Sequence, residues 1–121
     1  MTYESVAVVE SKIASGVTFT VARMSFTRRV ELMRRVRELA KRLEFLEAGQ
    51  EPGDKMEAAL VQAEVDRLYV AWGLRAVEGL SLDGAAATPE LLAEAGPEEL
   101  FREALAAVRA ETGLSAAERK N

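Results

Sequence analysis

Two short runs near the N-terminus carry β-forming residues at alternate positions. The first holds Val6 and Val8; the second holds Val17, Phe19 and Val21, separated by Thr18 and Thr20. β-Branched and aromatic residues at alternate positions suit half-buried strands. Ser5–Glu10 and Val17–Arg23 are therefore expected to pair as a hairpin across a loop at Ser11–Gly16. Two strands alone are only marginally stable, so one face must pack on a helix or on a neighbouring subunit.

After Ser25 the period changes. Leu32, Val36, Leu39, Leu43 and Leu46 recur in steps of four and three, which puts them on one face of a helix. The pattern predicts a helix over 26–48, about 34 Å long, with Ser25 as its N-cap and Gly49 as its stop. Phe26, Val30, Met33 and Ala40 widen the apolar face, and Glu31–Arg35, Arg34–Glu38 and Glu38–Arg42 are spaced for i,i+4 ion pairs. Gln50-Glu51-Pro52-Gly53 reads as a loop, and Asp54 as the cap of a second helix over 54–77. Its stripe is Val61, Val65, Leu68 and Trp72, with Met56, Leu60 and Ala63 beside it. Two such helices on a short loop should pack antiparallel.

Leu80–Gly84 reads as an extended segment and a turn. Thr88-Pro89-Glu90 then combines a capping residue, proline at the first helical position and an acid in the first turn, which predicts a short helix over 89–95 ending at Gly96. Another follows over 97–111, with Leu100, Phe101, Leu105 and Val108 inward, and 115–121 reads as a polar, flexible tail. The expected fold is α+β, mainly α. It is a single domain over 1–114, in which a two-stranded N-terminal β element packs on an antiparallel helical pair and shorter C-terminal helices follow.

Composition narrows the chemistry. Cysteine and histidine are both absent, which removes disulfides, thiolate and imidazole metal ligands, and the one side chain that titrates near neutrality. Neither a catalytic pair nor a metal or cofactor site can be nominated, and the chain is expected to act by binding rather than as an enzyme. Met1–Ile13 has no basic-then-apolar run, and no apolar stretch approaches the roughly 20 residues of a membrane span. A cytoplasmic location is expected.

Charge changes the picture further. The net charge is −4, yet Arg23–Glu47 holds eight basic and four acidic residues, while 49–121 holds fourteen acidic and seven basic. Arg28, Arg29, Arg34, Arg35, Arg37 and Lys41 form a basic helix segment on an acidic background. Those arginines could face phosphates, but interleaved glutamates, and the expectation that no exposed aromatic is present to stack bases, favour a protein-facing or solvated flank. Tyr69 and Trp72 are the other candidates, because both residue types anchor interfaces. Trp72 also fits the core, since it shares a stripe with Leu68. The candidate partner-binding residues are Arg28, Arg29, Arg34, Arg35, Tyr69 and Trp72.

Several segments, taken in order, resemble the small tail assembly chaperones of tailed bacteriophages and prophages. They are Gly16–Val21 leading to Met24-Ser25-Phe26-Thr27-Arg28-Arg29, then Trp72-Gly73-Leu74, Leu82-Asp83-Gly84, Thr88-Pro89-Glu90 and Gly96–Leu100, and the ending Leu114-Ser115 to Glu118-Arg119-Lys120-Asn121. The resemblance implies a chaperone that escorts the tape measure protein, or another tail protein, while the tail tube assembles in the bacterial cytoplasm. It also implies relatives made as longer products by frameshifting, for which Lys120-Asn121 permits a slippery codon pair. Tape measure proteins are long helices, and helix-in-groove binding is the physical mode a helical domain offers. A virion structural or connector tail protein, and a nucleic-acid-binding regulator using helix 26–48, remain the alternatives. Self-association is a further expectation, because a two-stranded element leaves β edges open.

Overall fold

The computed structural model describes residues 1–112. Its elements in chain order are β1 (Val6–Glu10), β2 (Thr18–Ala22), α1 (Phe26–Glu47), α2 (Pro52–Gly73), β3 (Leu74–Glu78), β4 (Ser81–Leu82), β5 (Ala85–Ala86), α3 (Pro89–Ala95) and α4 (Glu98–Glu111). Helices account for 58% of this part, so the fold is α+β and mainly α. The expected polar tail at 115–121 lies outside the described residues.

β1 and β2 pair antiparallel from Val6↔Ala22 to Glu10↔Thr18, the hairpin expected, but β1 turns Ala7 and Val9 to the core opposite Val21 and Phe19 and leaves Val8 exposed. A third strand joins them. β3 pairs with the other edge of β2, giving the order β1-β2-β3 with a register shift at Thr20/Val21. This corrects the second helix, which was expected to run over 54–77. It runs from Pro52 to Gly73, and the chain passes directly from Gly73 into the strand. Leu-Arg-Ala-Val at 74–77 suits either period, and pairing with β2 decides for the strand.

Gly73 makes the junction tight. A Cβ there would sit 2.5 Å from Val108 Cγ1, so α4 can approach only because position 73 has no side chain. At the other end of β3, Gly79 takes φ +79° with its Cα facing the backbone carbonyl of Gly16, a conformation and a proximity that only glycine accepts. The extended segment and turn near Leu80–Gly84 form a small hairpin, β4–β5, across Asp83 (φ 51°) and Gly84 (φ 83°). Two positive φ values in a two-residue loop match the twist of the strands they join.

The main core lies under the three-stranded sheet. Phe19 and Val21 from β2 are fully buried, together with Val108 and Ala104 of α4, Leu92 of α3, Leu74 and Val77 of β3, and Val70 and Trp72 of α2. The helical pair contributes Leu32 and Val36 from α1, and α4 lies across β2. Ser25 and Thr88 accept hydrogen bonds from Arg28 N and Leu91 N, so these two predicted N-caps are used, whereas Asp54, the third, lies inside the first turn of α2, which starts two residues earlier behind Glu51. Glu103 fastens the loop between β1 and β2 to α4: its carboxylate accepts from the Ser11 hydroxyl and from Lys12 N.

Candidate protein interface on the helical arm

α1 and α2 form an antiparallel hairpin that is held in two different ways along its length. Near the sheet, Leu32, Leu68, Val70 and Trp72 belong to the main core. Toward the connecting loop, the two helices pack only on each other among the described residues. There Leu46, Ala58 and Val61 make a separate small cluster, with Leu39 and Leu43 packed against it. The hairpin is therefore an arm whose outer half is two helices thick among the described residues.

A two-helix arm buries one stripe of each helix and leaves the rest exposed. The buried stripe of α1 is the predicted one. The residues expected to widen it are not covered: Phe26 is 86% exposed, Met33 62% and Val30 37%. They form a second row of their own. Phe26, Val30, Met33, Arg37, Ala40 and Glu44 follow each other in steps of four, three, four, three and four, the spacing of a coiled-coil seam. Val30, Met33 and Ala40 line a shallow groove along α1, with Arg34, Arg37 and Lys41 as its basic members and Glu44 at its far end. On α2, Met56 and Leu60 are likewise exposed, and Phe45 projects from α1.

The six residues nominated from the sequence do not assemble into one site. Arg28 is occupied internally: its guanidinium donates to the backbone carbonyls of Ser5 (2.8 Å) and Arg23 (2.9 Å) and fastens α1 to the ends of β1 and β2. Arg29 donates to the carbonyl of Thr112 at 3.2 Å and ties the C-terminus of α4 to α1; Thr112 itself is buried. Tyr69 is half-buried under Arg109, whose guanidinium carbon lies 4.9 Å from the ring centroid while its Nη2 meets Asp66 at 2.8 Å. Trp72 is 4% exposed, in the core, with Nε1 buried and without a partner among the described residues. Only Arg34 and Arg35 are exposed on α1. By helical spacing Arg34 borders the exposed row and Arg35 lies on the opposite side of α1 from it.

The ion pairs differ from those the spacing suggested. None of Glu31–Arg35, Arg34–Glu38 and Glu38–Arg42 closes; Arg42 instead reaches Glu57 on α2. The cross-helix carboxylate lies opposite Arg42 once the hairpin forms, which i,i+4 counting along one helix does not see. Among the described residues, Arg34, Arg37 and Lys41 make no ion pair. The expectation that no aromatic is exposed on this helix is also overturned, since Phe26 and Phe45 are. The signal that would have found the second row is the same four-three spacing that found the first.

Among the described residues, no group of three His, Cys, Asp or Glu is placed to hold a metal, and no helix is long and apolar enough to cross a membrane. No family model, curated protein or solved structure matches the chain.

Proposed function

We propose that the chain is a protein-binding assembly chaperone of the tail assembly type its sequence resembles. It acts without catalysis, by holding helical segments of a tape measure protein, or of another tail protein, against the α1–α2 arm in the bacterial cytoplasm. One observation carries this reading: an exposed row with coiled-coil spacing, apolar at Phe26, Val30, Met33 and Ala40, runs along α1 on the side away from its buried stripe. Apolar rows of this kind are normally buried against a partner helix, because burying each large side chain contributes about 1.5–3 kcal/mol. The test is an N-terminally tagged pull-down from the native host during phage induction, nuclease-treated, with bound proteins identified by mass spectrometry. Recovery of a long helical tail protein, with or without a longer form of the bait, is the expected result. Recovery of the bait alone would sink the reading.

A second reading has one observation in its favour. Phe26 and Phe45 are exposed on the helix that carries Arg34, Arg37 and Lys41, and aromatics beside cations are what single-stranded nucleic acid uses. Against it stand the net charge of −4 and the Glu31, Glu38, Glu44 and Glu47 interleaved on the same helix. Binding that appears only when nuclease is omitted would favour this second reading.

A further inference from the structure

We propose that the exposed row of α1 is a docking seam for an amphipathic helix whose flank is acidic, and that Arg34, Arg37 and Lys41 select that charge. The proposal rests on the helix-binding reading above and assigns the chemistry of the partner. Two properties of the same strip lead to it. Its positions recur in steps of four and three, apolar at Phe26, Val30, Met33 and Ala40 and charged at Arg37 and Glu44, so a second helix can pack along it knob into hole. Its basic members sit at fixed places in that geometry. Arg37 lies within the row, and Arg34 and Lys41 are seven residues apart, hence at equivalent places on one border. Such flanking positions decide which helix pairs with which, through the sign of the charges that face them. Within the chain these three cations meet no carboxylate among the described residues, although the chain as a whole is acidic. The neighbouring Arg42, by contrast, is answered by Glu57.

The charge also argues against a second copy as the occupant. Another α1 presents the same basic border, so seam-on-seam pairing would bring like charges together and be disfavoured. A helix with Glu or Asp at its flanking positions turns that repulsion into attraction. Its apolar residues would cover Val30, Met33 and Ala40, and the aliphatic stem of Arg37 would lie along them with its charged end toward solvent.

The test uses two synthetic helical peptides of about 21 residues, long enough to form a helix on a surface. They share one apolar seam of Leu and Ala and differ only in flanks of Glu or of Lys. Each is labelled and titrated with the full chain by fluorescence anisotropy, and the oligomeric state is followed by sedimentation. The Glu peptide is expected to bind saturably, more weakly as salt rises. The Lys peptide should bind roughly tenfold more weakly, as three partly exposed charge pairs would give. Arg34→Glu, Arg37→Glu and Lys41→Glu together should reverse that preference. Met33→Glu should abolish binding of both peptides while leaving the helical circular dichroism unchanged, because Met33 is outside the core.

Equal affinity for the two peptides, or no binding of either, overturns the proposal. So does a wild-type dimer that Met33→Glu dissociates, since a second copy would then be the occupant. Binding of a single-stranded oligonucleotide but not of the Glu peptide, lost in the triple variant, overturns it in favour of nucleic acid. The two levels of the reading separate cleanly. If a tail protein is still recovered from the host by the Met33→Glu variant, the chaperone stands and the seam falls. If the Glu peptide binds but no helical tail protein is ever recovered, the seam stands and the tail assembly role falls.

Discussion

Two neighbouring positions, Gly73 and Trp72, carry opposing energetic effects that single substitutions can test. Position 73 is contested by opposing effects. Replacing a helical glycine by alanine normally stabilises by about 1 kcal/mol, but here the new Cβ would meet Val108 Cγ1 at 2.5 Å, in a part of the core where Val108 is fully buried. Overpacking of this kind costs about 1–3 kcal/mol, so Gly73→Ala is expected to destabilise by about 1 kcal/mol in chemical denaturation. The same change made with Val108→Ala should cost less than the sum of the two single changes, because the neighbours couple. An additive double variant would mean that the approach of α4 is not limited at this point. Trp72 is the second case. It is the chain's one tryptophan and is buried with an unpartnered Nε1–H, which carries a desolvation penalty of about 1–3 kcal/mol. Phenylalanine discards that donor along with part of the ring, so Trp72→Phe should be close to neutral. Trp72→Ala should lose about 3–5 kcal/mol. A Trp72→Phe variant as damaged as Trp72→Ala would show that the indole N–H is satisfied in solution.

At the scale of elements, the arm should be the weakest part of the helical structure. Among the described residues its outer half is held by the small cluster of Leu39, Leu43, Leu46, Ala58 and Val61 and by the exposed Arg42–Glu57 pair, whereas β2 and α4 share the main core. Local opening follows buried apolar contact. In native-state hydrogen exchange, amides between Leu39 and Val61 are therefore expected to exchange well before those of Thr18–Ala22 and Ala104–Val108. Val61→Ala, at a fully buried position, should cost about 2 kcal/mol and widen that difference by loosening the arm selectively. Uniform protection across both regions would contradict a two-cluster core. This division also explains what was legible in the sequence. The first strands, the start of α1 at Phe26 and the bounds of α3 were readable because each is specified locally, by alternation, by Ser25 or by Thr88-Pro89. β3 was not readable, because Leu74–Glu78 is a strand only through its pairing with a segment more than fifty residues earlier. The candidate site was half legible. The basic helix was visible, but which arginines are free depends on the carbonyls of Ser5, Arg23 and Thr112, and these come near only after folding.

At the scale of the whole molecule, the basic stretch divides into two parts with separate tasks. Its beginning is used for construction: Arg28 binds the ends of the β-hairpin, and Arg29 binds the carbonyl of Thr112, the C-cap residue of α4. Its continuation, Arg34, Arg37 and Lys41, runs out along the arm beside the exposed row and does no such work among the described residues. Stability and binding should therefore be lost through different substitutions. Arg29→Met removes a charged donor from a buried residue's carbonyl and keeps most of the aliphatic stem, so it is expected to lower stability by about 1 kcal/mol, read as a reduced Tm. Its affinity for an acidic-flanked helix should be unchanged, because the Arg29 guanidinium is already held at the carbonyl of Thr112. Met33→Glu should do the opposite: a side chain already 62% exposed contributes little to folding, so Tm should hold while helix binding disappears. Measuring both quantities on both variants separates a surface kept free for a partner from one that is merely left over. If Arg29→Met weakened binding as much as Met33→Glu, the basic stretch would be acting as a single electrostatic surface, and the division between anchor and seam would have to be abandoned.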